Sequence, residues 1–287
     1  MATKDFAHLH VHTEYSMLDG AARLGDLFSY AKELGMSSMA TSDHGFLFGA
    51  FDFWRQAKAH DIKPIIGVEA YLTPGTHRTD RSRVRWGDGS RDDVSGGGAY
   101  THMTMWAETT EGMHNLFRAS SIASLEGQLY KPRMDREVLQ TYSKGLIATT
   151  GCPSGEIQTR LRLGQFDEAL QAASDFRDIF GKDNFYCEVM DHGLDIERNV
   201  QEDLHRLAKQ LNLPYVATND LHYTRQEDHT AHAALLCVQS GSTLTDPKRF
   251  KFDADNFYLR SPEEMYSIFG DIPGACENTL EIAERCN

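Results

Sequence analysis

The chain has 287 residues, 40% hydrophobic and 25% charged, enough to bury a sizeable core in one large domain or two small ones. No apolar run reaches about 18 residues, which excludes a membrane-spanning helix, and the opening MATKDFAHLHVHTEYS lacks a signal peptide's apolar core. A formal net charge of −13 excludes a general basic surface for nucleic acid, and five scattered cysteines (Cys152, Cys187, Cys237, Cys276 and Cys286) argue against a disulfide framework and for a reducing cytoplasm.

A first strand is predicted near 6–10 and delivers His10 and His12, which alternation puts on one face. A helix over 22–34 follows, with Leu24, Leu27, Phe28, Ala31 and Leu34 on one side and a stop at Gly35. The strand near 37–41 leads into Asp43 and His44, and a helix spans 48–60. The strand near 65–71, within IIGVEAY, carries Glu69. Residues 74–99 then interrupt the pattern. They are rich in Gly, Ser, Arg and Asp and read as a surface insertion, flexible at its SGGG end. Arg78, Arg81, Arg83, Arg85 and Arg91 make this the most basic stretch, either a solvated loop or a strap touching nucleic-acid phosphates.

The strand near 102–107 opens with His102, and helices follow over 110–125 and 134–142. The strand near 145–149 runs into Cys152, in TTGCPSGE, ahead of a helical stretch over 155–180 with a break expected at Gly164. A strand near 184–190 and a helix over 195–212 precede the strand near 214–218, which delivers Asp220 and His222, again two apart. After about 225 the chain turns helical, with a short FYL run at 257–259, and this tail is expected to pack on the outside.

Strand–helix alternation implies a parallel sheet covered by helices, and seven such units fit a closed barrel better than an open sheet. Six of the seven predicted strands deliver a residue able to bind metal, mostly at the C-terminal end, where parallel barrels build their active sites. Singly, an Asp-His turn is commonly a cap, a buried Glu a salt-bridge member, and a Cys inert packing. Together they point to a metal cluster. His60, His77, His114, His205 and His229 fall away from strand ends and read as structural or surface residues. His8 is placed to reach the site from below, and His192, in EVMDHG, either lines the pocket or caps the next helix.

The stretch HLHVHTEYSMLDGAA resembles the first motif of the polymerase-and-histidinol-phosphatase (PHP) superfamily, and SDHG, IIGVEAY, TTGCPSGE and ATNDLHY resemble its later motifs in order. SMLDG, TTGCPSGEIQTRL, ALLCVQSG, FYLRSPEEM and ENTLEIAE narrow the resemblance to the N-terminal domain of the bacterial replicative DNA polymerase III α subunits, over essentially the whole chain. The resemblance implies one PHP domain over 1–287, an α/β fold described as a distorted seven-stranded (β/α) barrel with a metal cluster at the C-terminal face of its strands, the following polymerase domain being absent.

It also implies a ligand set for up to three divalent ions: His10, His12, Asp19, His44, Glu69, His102, Cys152, Asp220 and His222. Asp19 rests on the resemblance alone. Asp43 lies outside this set and is expected to orient His44, with His192 also in the supporting layer. Imidazole, carboxylate and thiolate together suit zinc, manganese or iron better than magnesium. Three such ions and one thiolate would bring the net charge to about −8, so nucleic acid must be held at the metals or by a partner domain. Asp19, Glu69 and Asp220 are the expected catalytic carboxylates. The implied reaction is 3′–5′ proofreading hydrolysis of a DNA end. The implied partners are the DNA 3′ end, the downstream polymerase domains and, through the full-length protein, the sliding clamp and other replisome subunits, without a membrane. The competing readings are an inactive metal-binding module of the polymerase, a phosphomonoesterase and a pyrophosphatase.

Overall fold

In the computed structural model, residues 5–88 and 94–287 are described. The strands are β1 (Ser38–Thr41), β2 (Lys63–Leu72), β3 (Thr101–Ala107), β4 (Gln128–Leu129), β5 (Lys131–Met134), β6 (Leu146–Thr149), β7 (Phe185–Val189) and β8 (Tyr215–Ala217). The helices are α1 (Leu24–Glu33), α2 (Ala50–Ala59), the glycine turn α3 (Ser95–Gly98), α4 (Thr110–Glu126), α5 (Arg136–Tyr142), α6 (Glu156–Arg162), α7 (Phe166–Phe180), α8 (Asp195–Leu211), α9 (His229–Ser240), α10 (Pro262–Phe269) and α11 (Glu277–Arg285). Gly164, at φ +71°, separates α6 from α7, where a break was expected.

β1 pairs with β2, and the ladder continues through β3, β6 and β7 to β8. The two edges of this curled sheet are bridged by the N-terminal segment. The His8 carbonyl accepts from Ala40 N–H at 2.8 Å on the β1 side, and the His10 carbonyl accepts from Leu221 N–H at 3.0 Å beyond β8. The predicted first strand is therefore an extended segment joined by isolated bridges, not a full ladder.

The main ladder departs from an all-parallel barrel at one strand. β3 runs antiparallel to both β2 and β6. Among the described residues the only helical element between β2 and β3 is the four-residue turn α3, too short to carry the chain across, and an antiparallel pair needs only a turn at one end, however long that turn is. Residues 73–100 are that turn, because Leu72 pairs with Thr101. Its described part is tied down. The buried Arg133 guanidinium donates to the carbonyls of Arg78, Asp80 and Ala99. Arg78 is bridged to Glu126, Asp135 and Glu137, and Arg160 lies over the Trp86 ring at 3.8 Å. Arg91 of the basic stretch lies outside the described residues.

Strand alternation sorts side chains into two apolar layers. Val68, Ala70, Met103, Met105, Ala148, Phe185, Cys187 and Val189 face outward into the helical shell. Leu9, Ala40, Ile65, Trp106, Ile147, Tyr186 and Val216, one from each strand of the ring, fill its lower interior. The tail departs from the expected outer packing at α11, whose fully buried Ile282 and neighbouring Ala283 join that interior layer and close the lower end. Truncating Ile282 to Ala would cost about 2–5 kcal/mol. With the floor sealed by apolar groups, polar side chains collect at the opposite end.

Candidate metal centre

All nine positions inferred for metal binding meet at that upper end. Because β3 is antiparallel, its first residues lie on the same rim as the last residues of β2, which is why His102 reaches the cluster from the start of a strand. His102 Nδ1 lies 3.0 Å from Glu69 Oε1. Glu69 also stands 3.4 Å from His10 Nε2, 3.6 Å from His12 Nε2 and 2.7 Å from His44 Nδ1, and its side chain is 2% exposed. Asp220 Oδ1 sits 3.3 Å from His10 Nε2 and 3.2 Å from His12 Nε2. Asp19 lies 3.1 Å from His44 Nε2 and 3.5 Å from His222 Nε2. Cys152 Sγ is 3.2 Å from Glu69 Oε1 and 3.8 Å from His102 Nδ1.

Two backbone features make these approaches possible. Gly20 turns the SMLDG loop so tightly that a Cβ there would overlap the Thr13 carbonyl, and this returns Asp19 to the cluster. Asp220 itself has φ 42°, in the left-handed region that costs most residues about 1 kcal/mol or more. That conformation accompanies the placement of its carboxylate between His10 and His12.

A second set of contacts fixes the imidazoles. His10 Nδ1 meets Glu188 at 2.7 Å, and Glu188 also accepts from Thr149 and Thr218. The hydroxyl of Ser16 donates to Asp43 at 2.7 Å, so it can only accept from His12 Nδ1, 3.0 Å away. His222 Nδ1 donates to the Asp220 carbonyl at 2.7 Å. Each contact leaves Nε2 facing inward, the tautomer a metal ligand requires. Asp43 does not touch the His44 ring. Its carboxylate is taken up by Thr13, Ser16 and Thr41, and it reaches His44 only through Ser16, which accepts the His44 backbone N–H. His192 lies 2.6 Å from Glu197 and 2.9 Å from the Asn219 carbonyl, bracing the residue before Asp220. His8 turns away, with its Nε2 donating to the Arg260 carbonyl.

Glu188, Ser16 and His232 have no place in the sequence reading. His232, on α9, donates to the Asp19 carbonyl at 2.7 Å. The signal for Glu188 was available, since FYCEV, like IIGVEAY, holds one charged residue in an otherwise buried strand.

Burial and mutual charge set the protonation states. Burial opposes a charge on His10, but Asp220, Glu188 and Glu69 outweigh it and raise its pKa well above the usual range. Burial likewise opposes charging His44, which Glu69 and Asp19 nevertheless push up to about 10. Burial together with neighbouring His44 and His222 brings His12 down to about 3. The carboxyls of Asp19, Glu69 and Asp220 are held well below the usual carboxylate range despite burial, because imidazoles surround them. Burial and the Glu69 carboxylate raise the Cys152 thiol.

Six buried atoms in this cluster, His10 Nε2, His12 Nε2, Asp19 Oδ1, His44 Nδ1, Glu69 Oε2 and Asp220 Oδ1, make no well-directed hydrogen bond, although a complementary group lies 2.7–3.5 Å from each. Donors and acceptors crowded together without directed bonds are costly unless a further group satisfies them. Divalent cations fit, because three overlapping triads, His10/His12/Asp220, His12/His44/His222 and His44/Glu69/His102, each bring their ligand atoms within 4.8 Å of one another. A fourth group, His77/Asp135/Glu137, already has the Arg78 guanidinium between its carboxylates.

A curled mixed sheet with histidines and carboxylates crowded at one mouth defines an α/β fold with a candidate metal centre. Residues 8–192 match the PHP domain, and the chain belongs to that family. It is 58% identical to DNA polymerase III subunit alpha of Saccharopolyspora erythraea, across 99% of this chain and 25% of that protein. It is 55% identical to DNA polymerase III subunit alpha of Mycobacterium tuberculosis, across 99% of this chain and 24% of that protein, and 43% identical to that of Treponema pallidum, across 100% and 24%. The chain thus spans about a quarter of the length of these relatives. A two-domain protein from Bacteroides vulgatus containing a predicted PHP-like metal-dependent phosphoesterase aligns with TM-score 0.45 and 15% identity, over 91% of this chain and 61% of that one. Among the described residues, no helix is long and apolar enough to cross a membrane.

Proposed function

We propose that this chain is a metal-dependent 3′–5′ exonuclease domain that removes mispaired nucleotides from a DNA end by hydrolysing its terminal phosphodiester. The observation that carries the reading is the convergence of nine candidate ligands into a cluster with three overlapping triads, whose inward-facing atoms lie within 4.8 Å of one another in each triad and lack well-directed hydrogen bonds. His10, His12, Asp19, His44, Glu69, His102, Cys152, Asp220 and His222 would hold up to three divalent ions, with zinc, manganese or iron matching the donor set. Such ions supply hydroxide near neutral pH and stabilise charge on the attacking and leaving oxygens.

The carboxylates divide by exposure. Glu69, at 2%, is sealed among histidines and its part is to hold them in place. Asp220 and Asp19, at 17% and 19%, face the mouth, where a carboxylate can orient an attacking water and accept its proton. Glu188 and Ser16 keep the imidazoles of His10 and His12 turned inward.

In this reading the partners are a DNA 3′ end, downstream polymerase domains and, through them, the sliding clamp and other replisome subunits, in the cytoplasm. An unpaired 3′ nucleotide enters such a site most easily, since no base pair has to be broken. The test offers the metal-loaded chain DNA, pyrophosphate and a phosphate monoester in parallel. The expected result is a ladder of strands shortened from the 3′ end, faster on mismatched ends. Hydrolysis confined to the monoester or to pyrophosphate, or no hydrolysis at full metal occupancy, would replace this reading with a phosphatase or a metal-binding structural module.

A further inference from the structure

A groove of about 580 Å³ leaves the metal centre, with Cys152 and Asp220 at its inner end. One wall is the start of α8, where Ile196 is 39% exposed. The other is the segment between α9 and α10, where Phe250 is 53% exposed. Phe250 stands edge-on to Phe252, 6.1 Å between ring centres. Phe252 is anchored in turn against His222 at 4.8 Å, His232 at 4.9 Å and Phe257 at 4.6 Å. The exposed ring therefore sits on a base that belongs to the metal centre. Lys251 and Arg198 stand at the rim, engaged with Asp253 at 3.0 Å and Asp195 at 2.6 Å, and Lys248 and Arg249 immediately precede Phe250.

We propose that this groove is the binding site for the unpaired 3′-terminal base of the DNA strand, stacked on Phe250 and facing Ile196. The inference rests on the exonuclease reading, in which the terminal phosphate lies at the metals. Whatever fills the groove must then be covalently attached to that phosphate. An exposed aromatic ring and an exposed aliphatic side chain lining one groove with Cys152 and Asp220 suit the π-face of a nucleobase and offer nothing to a bare phosphate or pyrophosphate. The surface ion pairs at the rim are weak and can exchange their acidic partners for backbone phosphates. Stacking needs no particular base, so such a site accepts any mispaired end. The groove volume falls within the range of ordinary small-ligand sites, about 300–1,000 Å³.

The test uses the metal-loaded 287-residue chain and single-stranded oligonucleotides carrying 2-aminopurine at either the 3′ or the 5′ end, with a phosphorothioate at the terminal linkage to slow cleavage. The emission of the 3′ probe should be quenched on binding, and that of the 5′ probe should not. Phe250→Ala should abolish the quench and raise KM for an unmodified strand about ten-fold, the size of one base–aromatic contact, with kcat nearly unchanged. Phe250→Tyr should restore both. Phe250 is exposed, so neither substitution threatens the fold. Identical quenching and KM in wild type and Phe250→Ala would overturn the base site while leaving strand shortening, and the exonuclease reading, intact. A Phe250-dependent quench without strand shortening would sustain the base site and remove the exonuclease activity. No quench with wild type at saturating strand would overturn the proposal.

Discussion

The carboxylate of Glu188 lies 2.7 Å from Nδ1 of His10, and neither side chain has any solvent exposure. The pair lies beneath the candidate metal centre. A buried carboxylate on the far nitrogen holds the ring's orientation and makes its other nitrogen a stronger ligand. Glu188→Gln keeps the shape and removes the charge. Metal affinity should fall about 10–100-fold, the usual effect of losing such support, with little change in secondary structure. Metal content after dialysis against a series of buffered metal concentrations measures this. Retention equal to wild type would reduce Glu188 to a packing residue.

Metal uptake should release protons. Without a cation, His44 is pushed up to about 10, the raised pKa of His10 keeps its proton, and burial with Glu69 keeps Cys152 a thiol. The cation-free protein thus binds more protons than the loaded one, so metal affinity must rise as pH rises from neutral toward the His44 value. Calorimetric titration in two buffers of different ionisation heat should show binding heats that differ between them. Equal heats would mean that these groups are already deprotonated.

Chelation should lower the melting temperature by several degrees, since bound cations stabilise the native state by mass action. It should also unmask Cys152. That thiol faces Glu69 and His102, whereas Cys187, Cys237, Cys276 and Cys286 are buried elsewhere. Alkylation mapped by peptide mass should be negligible at Cys152 in the loaded protein and extensive after metal removal. Equal labelling in both states would take Cys152 off the ligand list.

The sequence made the strands and helices legible because their apolar periods are strong, from the buried run of β2 to the one-sided face of α1. It could not reveal the direction of β3. Direction depends on whether residues 73–100 cross the sheet or return beside it, and that stretch has little periodicity of either kind. Nor did its composition reveal that the described residues at its two ends are held in place, because the organising group, Arg133, lies in the four-residue strand β5, too short to stand out. Asp19 was beyond reach without the family resemblance, since a lone aspartate in a turn carries no periodic signal. The contribution of Ser16 was hidden for a different reason. Its role is to pass the influence of Asp43 to His12, and a hydroxyl relay exists only once the two segments have met.

The carboxylates at the mouth should be indispensable for strand shortening but not for the fold. Asp220→Asn is well suited to show this, because asparagine tolerates the φ of 42° that the position demands. Asp19→Asn likewise keeps its shape on a loop set by Gly20 and by the His232 contact to its carbonyl. Each substitution removes a negative charge that would help hold the ions and orient water, so activity should drop by at least about a hundred-fold, the scale of one general-base contribution. Stability should fall much less, as the remaining ligands retain part of the metal. Wild-type activity should weaken only gradually with salt, because a protein of net charge −13 has little basic surface and neutralises few phosphates, and the slope follows their number. A time course on 5′-labelled primer, with wild type and both variants purified identically, measures all of this. Equal digestion by wild type and variants would trace the activity to a contaminating nuclease. Well-folded, fully loaded wild type that leaves the primer intact would assign the cluster a structural role.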